Sequence, residues 1–204
     1  MKKLLLLTIS LLLGSVSVLL AEIDQSSRSA NARVHGSLNE NLLARLVAEE
    51  TNRFRVSQGR EPLVVSPSLT NAAQVHASAM ADEGFFAHQN PNDPSLRTLT
   101  DRIHGVGLEP RAYAENIAYT YSLDFGAMRD WVKNGHQRGS APAVLEYTYR
   151  ALAKSVVQQW INSRGHRQNM LGRPYSQIGL GFATAKDARG REKVYCVQTF
   201  CAPI

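Results

Sequence analysis

The sequence predicts an α+β domain. Three observations carry the prediction: helical periodicity dominates the early and middle parts of the chain, strict alternation appears near the C-terminus, and the two are not interleaved as strand–helix units. From Asn39 to Ser57, Leu42, Leu43, Leu46, Val47 and Phe54 recur at helical spacing, and Gln58-Gly59 ends the run. Pro62-Leu63-Val64-Val65 reads as a short extended piece. Ser66 is placed to cap the next helix with Pro67 in its first turn. That helix buries Leu69, Ala72, Ala73, Val75 or His76, Ala79 and Met80, and Gly84 closes it. A proline-bearing loop follows, Gln89 to Ser95, then a short helix near Leu96 to His104 that stops at Gly105-Val106-Gly107.

Glu115 to Tyr121 reads as a strand or a loop feeding the core. Beyond it, Phe125, Met128, Trp131 and Val132 point to a helix closed by Asn134-Gly135, with a second loop from Gln137 to Pro142. A longer helix runs from about Ala143 to Ser163, with Leu145, Tyr149, Leu152, Val156, Val157 and Trp160 on one side. The period then changes to two. Gln177 to Ala183 alternates, Lys186 to Arg191 turns, and Lys193 to Phe200 alternates again, which is an antiparallel hairpin.

The chain opens with Met1-Lys2-Lys3 and an apolar run from Leu4 to Ala21, the pattern of a secretory signal over residues 1–21. Left uncut, a run of about 18 apolar residues is long enough to span a bilayer. Membrane contact is expected only through residues 4–21, and the chain is expected in the periplasm or outside the cell. A polar linker follows at 22–39. The remaining 40–204, roughly 165 residues, suffices for one domain with a single core. The net charge of +6 includes two lysines of the leader. Lysines and arginines are scattered without interleaved aromatics, so the composition argues against nucleic acid as a partner. No nucleotide or organic cofactor is indicated. Two cysteines, Cys196 and Cys201, lie close together, and in an exported chain they read as a disulfide pinning the C-terminal end, provided the residues between them turn.

Three segments set a titratable group beside apolar anchors: Phe85-Phe86-Ala87-His88-Gln89, Tyr113-Ala114-Glu115-Asn116-Ile117-Ala118, and Ser163-Arg164-Gly165-His166-Arg167-Gln168-Asn169-Met170. In the third, Gly165 is expected to let the chain leave the preceding helix in a left-handed conformation and so turn His166 into a cleft. Two imidazoles and a carboxylate are groups that ligate a divalent metal, with the carboxylate either in the shell or orienting a ring nitrogen. Taken singly, each histidine reads as an ordinary surface or hydrogen-bonded residue. His35, His76, His104 and His136 have no anchoring context and keep that reading.

The order of four motifs is what departs from the ordinary. Phe85 to His88, Ala114 to Ala118, Trp160 to Met170, and Ile178-Gly179-Leu180-Gly181-Phe182 together resemble the CAP superfamily of cysteine-rich secretory, antigen 5 and pathogenesis-related proteins, nearest its bacterial SCP-domain branch. The resemblance covers about Asn41 to Phe200. It implies a three-layer α-β-α sandwich with a central antiparallel sheet, and a cleft where His88, His166 and Glu115 gather. It places Ser163 where eukaryotic members carry a second acid, and Glu146, about four turns earlier on the same helix, is too far to replace it. The segment 121–154 is longer than usual and reads as an insertion, either a specificity loop or an excursion that packs Trp131 and Tyr147 against the body.

Two functions follow from the resemblance. One is an extracellular binding module whose His88, Glu115 and His166 hold zinc and whose cleft takes a small lipid, peptide or protein ligand. The other is a metal-assisted hydrolase of peptides or cell-wall material, with Glu115 as catalytic general base. Ser163 and His166 also raise the prospect of a serine nucleophile, but no third residue is identifiable to orient the histidine.

Overall fold

The computed structural model describes residues 22, 24–34, 37–124, 129–130, 133–134 and 146–203. The leader, His35, His136, Phe125, Met128, Trp131, Leu145 and the loop at 137–142 lie outside the described residues. Among those described, no helix is long and apolar enough to cross a membrane.

The chain forms an α+β sandwich. Helix α1 (Glu40–Ser57) is capped by the Asn39 side chain, which accepts from the Leu42 amide. A two-residue strand β1 (Val64–Val65) leads into α2 (Pro67–Glu83), capped by Ser66 and closed by Gly84 in the left-handed conformation. After a 3₁₀ turn at Pro94–Leu96 comes α3 (Leu99–Gly105), where Thr98 and Asp101 form a capping box. The edge strand β2 (Ala112–Tyr121) follows. Helices α4 (Tyr149–Asn162) and α5 (Arg164–Met170) then precede the hairpin β3 (Gln177–Lys186) and β4 (Glu192–Ala202).

The sheet runs β1-β3-β4-β2. The β3–β4 and β2–β4 pairings are antiparallel over their full lengths, while β1 is parallel to β3, so the sheet is mixed at one edge. One face packs on α1, α4 and α5 through Leu43, Leu46, Val47, Leu152, Val156, Trp160, Phe182 and Phe200. The other packs on α2 and α3 through Ala73, Ala77, Met80, Ile117 and Val197, with Leu69, Ile103 and Cys201 at one end. On α2 the ambiguity at 75 and 76 resolves in favour of His76, which is 1% exposed, against 41% for Val75.

Close contact between α2 and the sheet depends on two glycines of β3. A β-carbon on Gly179 would sit 2.2 Å from the Leu69 carbonyl carbon, and one on Gly181 would sit 2.3 Å from that of Ala73. Both obstacles are helix backbone, which cannot swing aside.

Several expectations are corrected. The Cys196–Cys201 bridge is absent and both thiols are free and buried. The intervening residues do not turn: they stay in the β4 ladder, with Cys196 opposite Ala118 and Cys201 opposite Tyr113. Five positions of extended strand put the two on opposite faces about 17 Å apart, far beyond disulfide reach. Helix α4 starts at Tyr149, capped by Thr148, and not near Ala143. Strand β2 begins at Ala112, earlier than its apolar pattern indicates, because the whole segment pairs residue for residue with β4. Gly165 is not left-handed: it lies inside α5, and the break between α4 and α5 is the extended Ser163. Glu146 stands before the α4 cap, bridged to Leu123, and Tyr147 donates its amide to the Ser122 carbonyl. The excursion between them therefore enters and leaves at one point, and Tyr147 packs, partly buried, against the core. In the stretch read as a linker, Ala30 and Val34 are buried in the core.

Substituting alanine separates the two kinds of glycine. Gly179→Ala is expected to destabilise the fold by about 3 kcal/mol or more, as overpacking against fixed backbone does. Gly165→Ala, which meets nothing within 4 Å, should be stabilising by about 0.5–1 kcal/mol as a helical Gly-to-Ala change. Urea unfolding of both variants checks the contrast.

Candidate functional site

The site is built on two consecutive residues of an edge strand. Alternation along β2 points Glu115 towards α2 and α3, and Asn116 towards α4 and α5. Each side chain then holds the segment that carries one histidine.

On the first side, Glu115 Oε1 accepts from His88 Nδ1 at 2.9 Å, and Oε2 accepts from an Arg102 terminal nitrogen at 2.7 Å. Arg102, 2% exposed, also donates to the carbonyls of Leu96, Arg97 and His88. It thereby ties the loop after His88 to the carboxylate. His76 on α2 hydrogen-bonds through Nε2 to the Ala87 carbonyl at 2.9 Å and holds the same loop from above. On the second side, Asn116 Nδ2 donates to the His166 carbonyl and to Gln198 Oε1, while Asn169 Nδ2 donates to the Glu115 carbonyl and Asn116 Oδ1. Gln198 in turn donates to Thr51 on α1. These bonds lock α5, and with it His166, onto the strand edge.

The electrostatics follow from burial. Desolvation alone would raise the Glu115 pKa, but the bond from His88, the charge of Arg102, the proximity of His76 and the Arg102 bond outweigh it and hold the acid below its ordinary value. Burial lowers the His76 pKa, with Arg102 and His88 adding to the effect and Glu115 and the Ala87 carbonyl opposing it. Burial also lowers that of His166, and the nearby His88 adds to it. At neutral pH the site therefore holds an ionised carboxylate beside His76 and His166, whose imidazoles burial biases towards the neutral form.

Of the three expected residues, Glu115 is in hydrogen-bond contact with His88, and the carbonyl of His166 accepts from Asn116, the next residue along β2. Each Glu115 oxygen accepts one hydrogen bond, Oε1 from His88 and Oε2 from Arg102. Among the described residues no group of three or more His, Cys, Asp or Glu is arranged to hold a metal ion. Ser163 makes no capping bond and no hydrogen bond to His166 among the described residues. His104 pairs with Glu109 at the surface, away from the site. The grooves of about 380 Å³ between α1 and α4 and about 260 Å³ beside Cys201 contain none of the site residues.

The family pattern of cysteine-rich secretory proteins, CAP, matches residues 48–200. The chain belongs to the CAP family. It is similar to the uncharacterized protein YkwD of Bacillus subtilis (strain 168), at 28% identity over 136 residues, 67% of this chain and 40% of that protein. Among solved structures it is similar to an extracellular protein containing a SCP domain from Bacillus anthracis, with a TM-score of 0.56 and 22% identity over 82% of this chain and 45% of that one. The CAP domain of enterococcal PrgA gives a TM-score of 0.52 at 16% identity, over 86% of this chain and 69% of that one. The chain thus spans less than half the length of YkwD and of the B. anthracis protein. At these identities the structural likeness establishes the fold.

Arg102 and His76 are the site residues that sequence reasoning passed over. Arg102 precedes the buried Ile103 in a helix of seven residues, too short for its periodicity to show that the arginine is buried as well. His76 occupies a position on the buried stripe of α2, and that was the available signal.

Two expectations follow for this site. Glu115→Ala leaves Arg102 buried without its counter-charge and should cost about 3–5 kcal/mol, most of it recovered by adding Arg102→Met. The pH dependence has a definite sign. His76 and His166 titrate below their ordinary 6.5 in the native fold, so as pH falls through 6.5 the unfolded chain takes up protons that the folded one refuses. Stability is lost from there downward, and again below 4.5 as the unfolded-state Glu115 protonates first. In chelator, Tm should fall between pH 7 and 5, and the fall should shrink in His76→Gln.

Proposed function

We propose that this chain is an extracellular CAP binding module whose cleft, walled by His88 and His166 over the edge of β2, receives a small lipid or peptide-like ligand. The observation that carries the reading is the state of Glu115. An acid that accepts from both His88 and Arg102, buried and held ionised, positions an imidazole and does not serve as a general base. With Ser163 at the second acidic position, no carboxylate other than Glu115 pairs with His88 or His166 among the described residues. Export is supported by the leader-like residues 1–21 and by likeness to a B. anthracis protein described as extracellular. Exposed Phe86 and Tyr119, packed edge to face at 5.1 Å with the Lys193 ammonium over both rings, offer the ligand an aromatic rim.

The donor set suits a weakly held divalent cation. Glu115 fixes the Nδ1–H of His88, the arrangement that leaves Nε2 as a ligand. His88 and His166 would hold zinc, and waters would complete its shell. Bound there, zinc would bridge the two helical layers.

Zinc should raise the Tm of the wild-type domain by mass action, by about 2.7 kcal/mol of stability at ~100 times Kd. The rise should vanish in the His88→Ala, His166→Ala double variant. Peptide and muropeptide libraries should pass through unhydrolysed. Turnover that disappears in Glu115→Gln would reverse the assignment in favour of the hydrolase.

A further inference from the structure

Beneath Glu115 the interior holds three polar atoms without hydrogen-bond partners: His76 Nδ1, Arg102 Nε and Thr199 Oγ1. Their residues are 1%, 2% and 0% exposed. Native interiors rarely leave such atoms unpaired, and three around one acid call for a common partner.

All three residues lie on the side of the sheet that Glu115 faces. Thr199 lies directly across the β2–β4 ladder from Glu115 and on the same face, which puts the two β-carbons about 5 Å apart. Arg102 grips the Glu115 carboxylate, and the His76 ring lies within the field of both. No hydrogen bond joins the three directly, and the arginine is held in place. Its two terminal nitrogens are committed to Leu96, Arg97, His88 and Glu115, so the guanidinium plane cannot turn. His76 is committed as well, because its Nε2–H donates to the Ala87 carbonyl and leaves Nδ1 as an acceptor. One fixed donor, one fixed acceptor and one hydroxyl are the complement of a water molecule. Buried waters make about three such bonds.

We propose that a water molecule is held between His76 Nδ1, Arg102 Nε and Thr199 Oγ1, and that through it His76 acts as a positioning residue for His88. The water accepts from the Arg102 Nε–H and the Thr199 hydroxyl and donates to His76 Nδ1. This keeps the His76 ring in the orientation whose opposite nitrogen anchors Ala87. His88 is the next residue, so the water reaches the cleft wall in two steps, whatever the cleft binds.

A crystal structure of the wild-type domain that shows interior waters tests the site. Density is expected within about 3.2 Å of all three atoms. A dry interior, or the three atoms bonded to one another, overturns the proposal. The positioning role is read from hydrogen exchange of the His88 Nδ1–H by NMR. It should accelerate about tenfold or more in His76→Phe and return towards the wild-type rate in His76→Gln, whose amide can both donate and accept. Unchanged exchange in a folded His76→Phe refutes the role. Should that variant not fold, Thr199→Val removes one partner of the water, and unchanged exchange there refutes it equally.

Discussion

An ionised carboxylate buried at the rim of a sheet is the constraint on which the rest of this molecule depends. Removing Glu115 and Arg102 from water costs several kcal/mol for each ion, and attraction alone repays that only when the remaining hydrogen-bonding positions are also filled. Glu115 meets the condition with His88, and Arg102 meets it with backbone carbonyls from Leu96, Arg97 and His88. The loop between α2 and α3 has no apolar core of its own, and these bonds hold its conformation. The capping box of α3 delivers Arg102 to the acid, and the pleat of β2 delivers the acid to Arg102.

The same pleat turns Asn116 the opposite way, and there the interactions are neutral. Thr51, Gln198, Asn116 and Asn169 form a buried chain from α1 through two strands to α5. Arg55 completes the anchoring of α5 by donating to the carbonyls of Met170 and Gly172 at its C-terminal end, where a cation also meets the negative pole of the helix. One histidine is thus fixed by a charged network and the other by amides. Lowering the pH first disturbs the imidazoles, while the amide chain carries no titratable group and keeps α5 in place.

Much of this was legible in the sequence because it rests on periodicity and punctuation. Asn39, Ser66 and Gly84 marked helix ends, and the alternation from Gln177 to Phe200 marked the hairpin. Ordered motifs brought His88, Glu115 and His166 to one site. What could not be read depended on partners distant in sequence. The pairing of Ala112 to Ala114 with β4 extends a strand whose own residues are ambiguous. The cysteine pair looked like a bridge because proximity in sequence says nothing about an extended ladder that sets Cys196 and Cys201 on opposite faces. Gly165 illustrates the converse error: its position next to the histidine drew a conformational explanation, although the extended backbone of Ser163 makes the turn. Arg102 was invisible for a related reason, since its importance lies entirely in the charge it faces.

The charge balance of the cleft narrows what it can hold. Glu115 and Arg102 pair within the interior, and burial favours the neutral forms of His76 and His166. The cleft therefore presents imidazole lone pairs without a net negative field. Sites that hold divalent cations tightly add anionic ligands to such nitrogens, and Ser163 supplies none. On the proposed reading a cation would depend on the two imidazoles with little long-range attraction, so its affinity should depend weakly on ionic strength. A neutral ligand with a hydrogen-bond donor and an apolar flank meets the same lone pairs and the rim of Phe86 without any such deficit. In the proposed reading this makes the ligand, and not the metal, the principal occupant of the cleft, with the buried ion pair serving to keep His88 rigid enough to receive it.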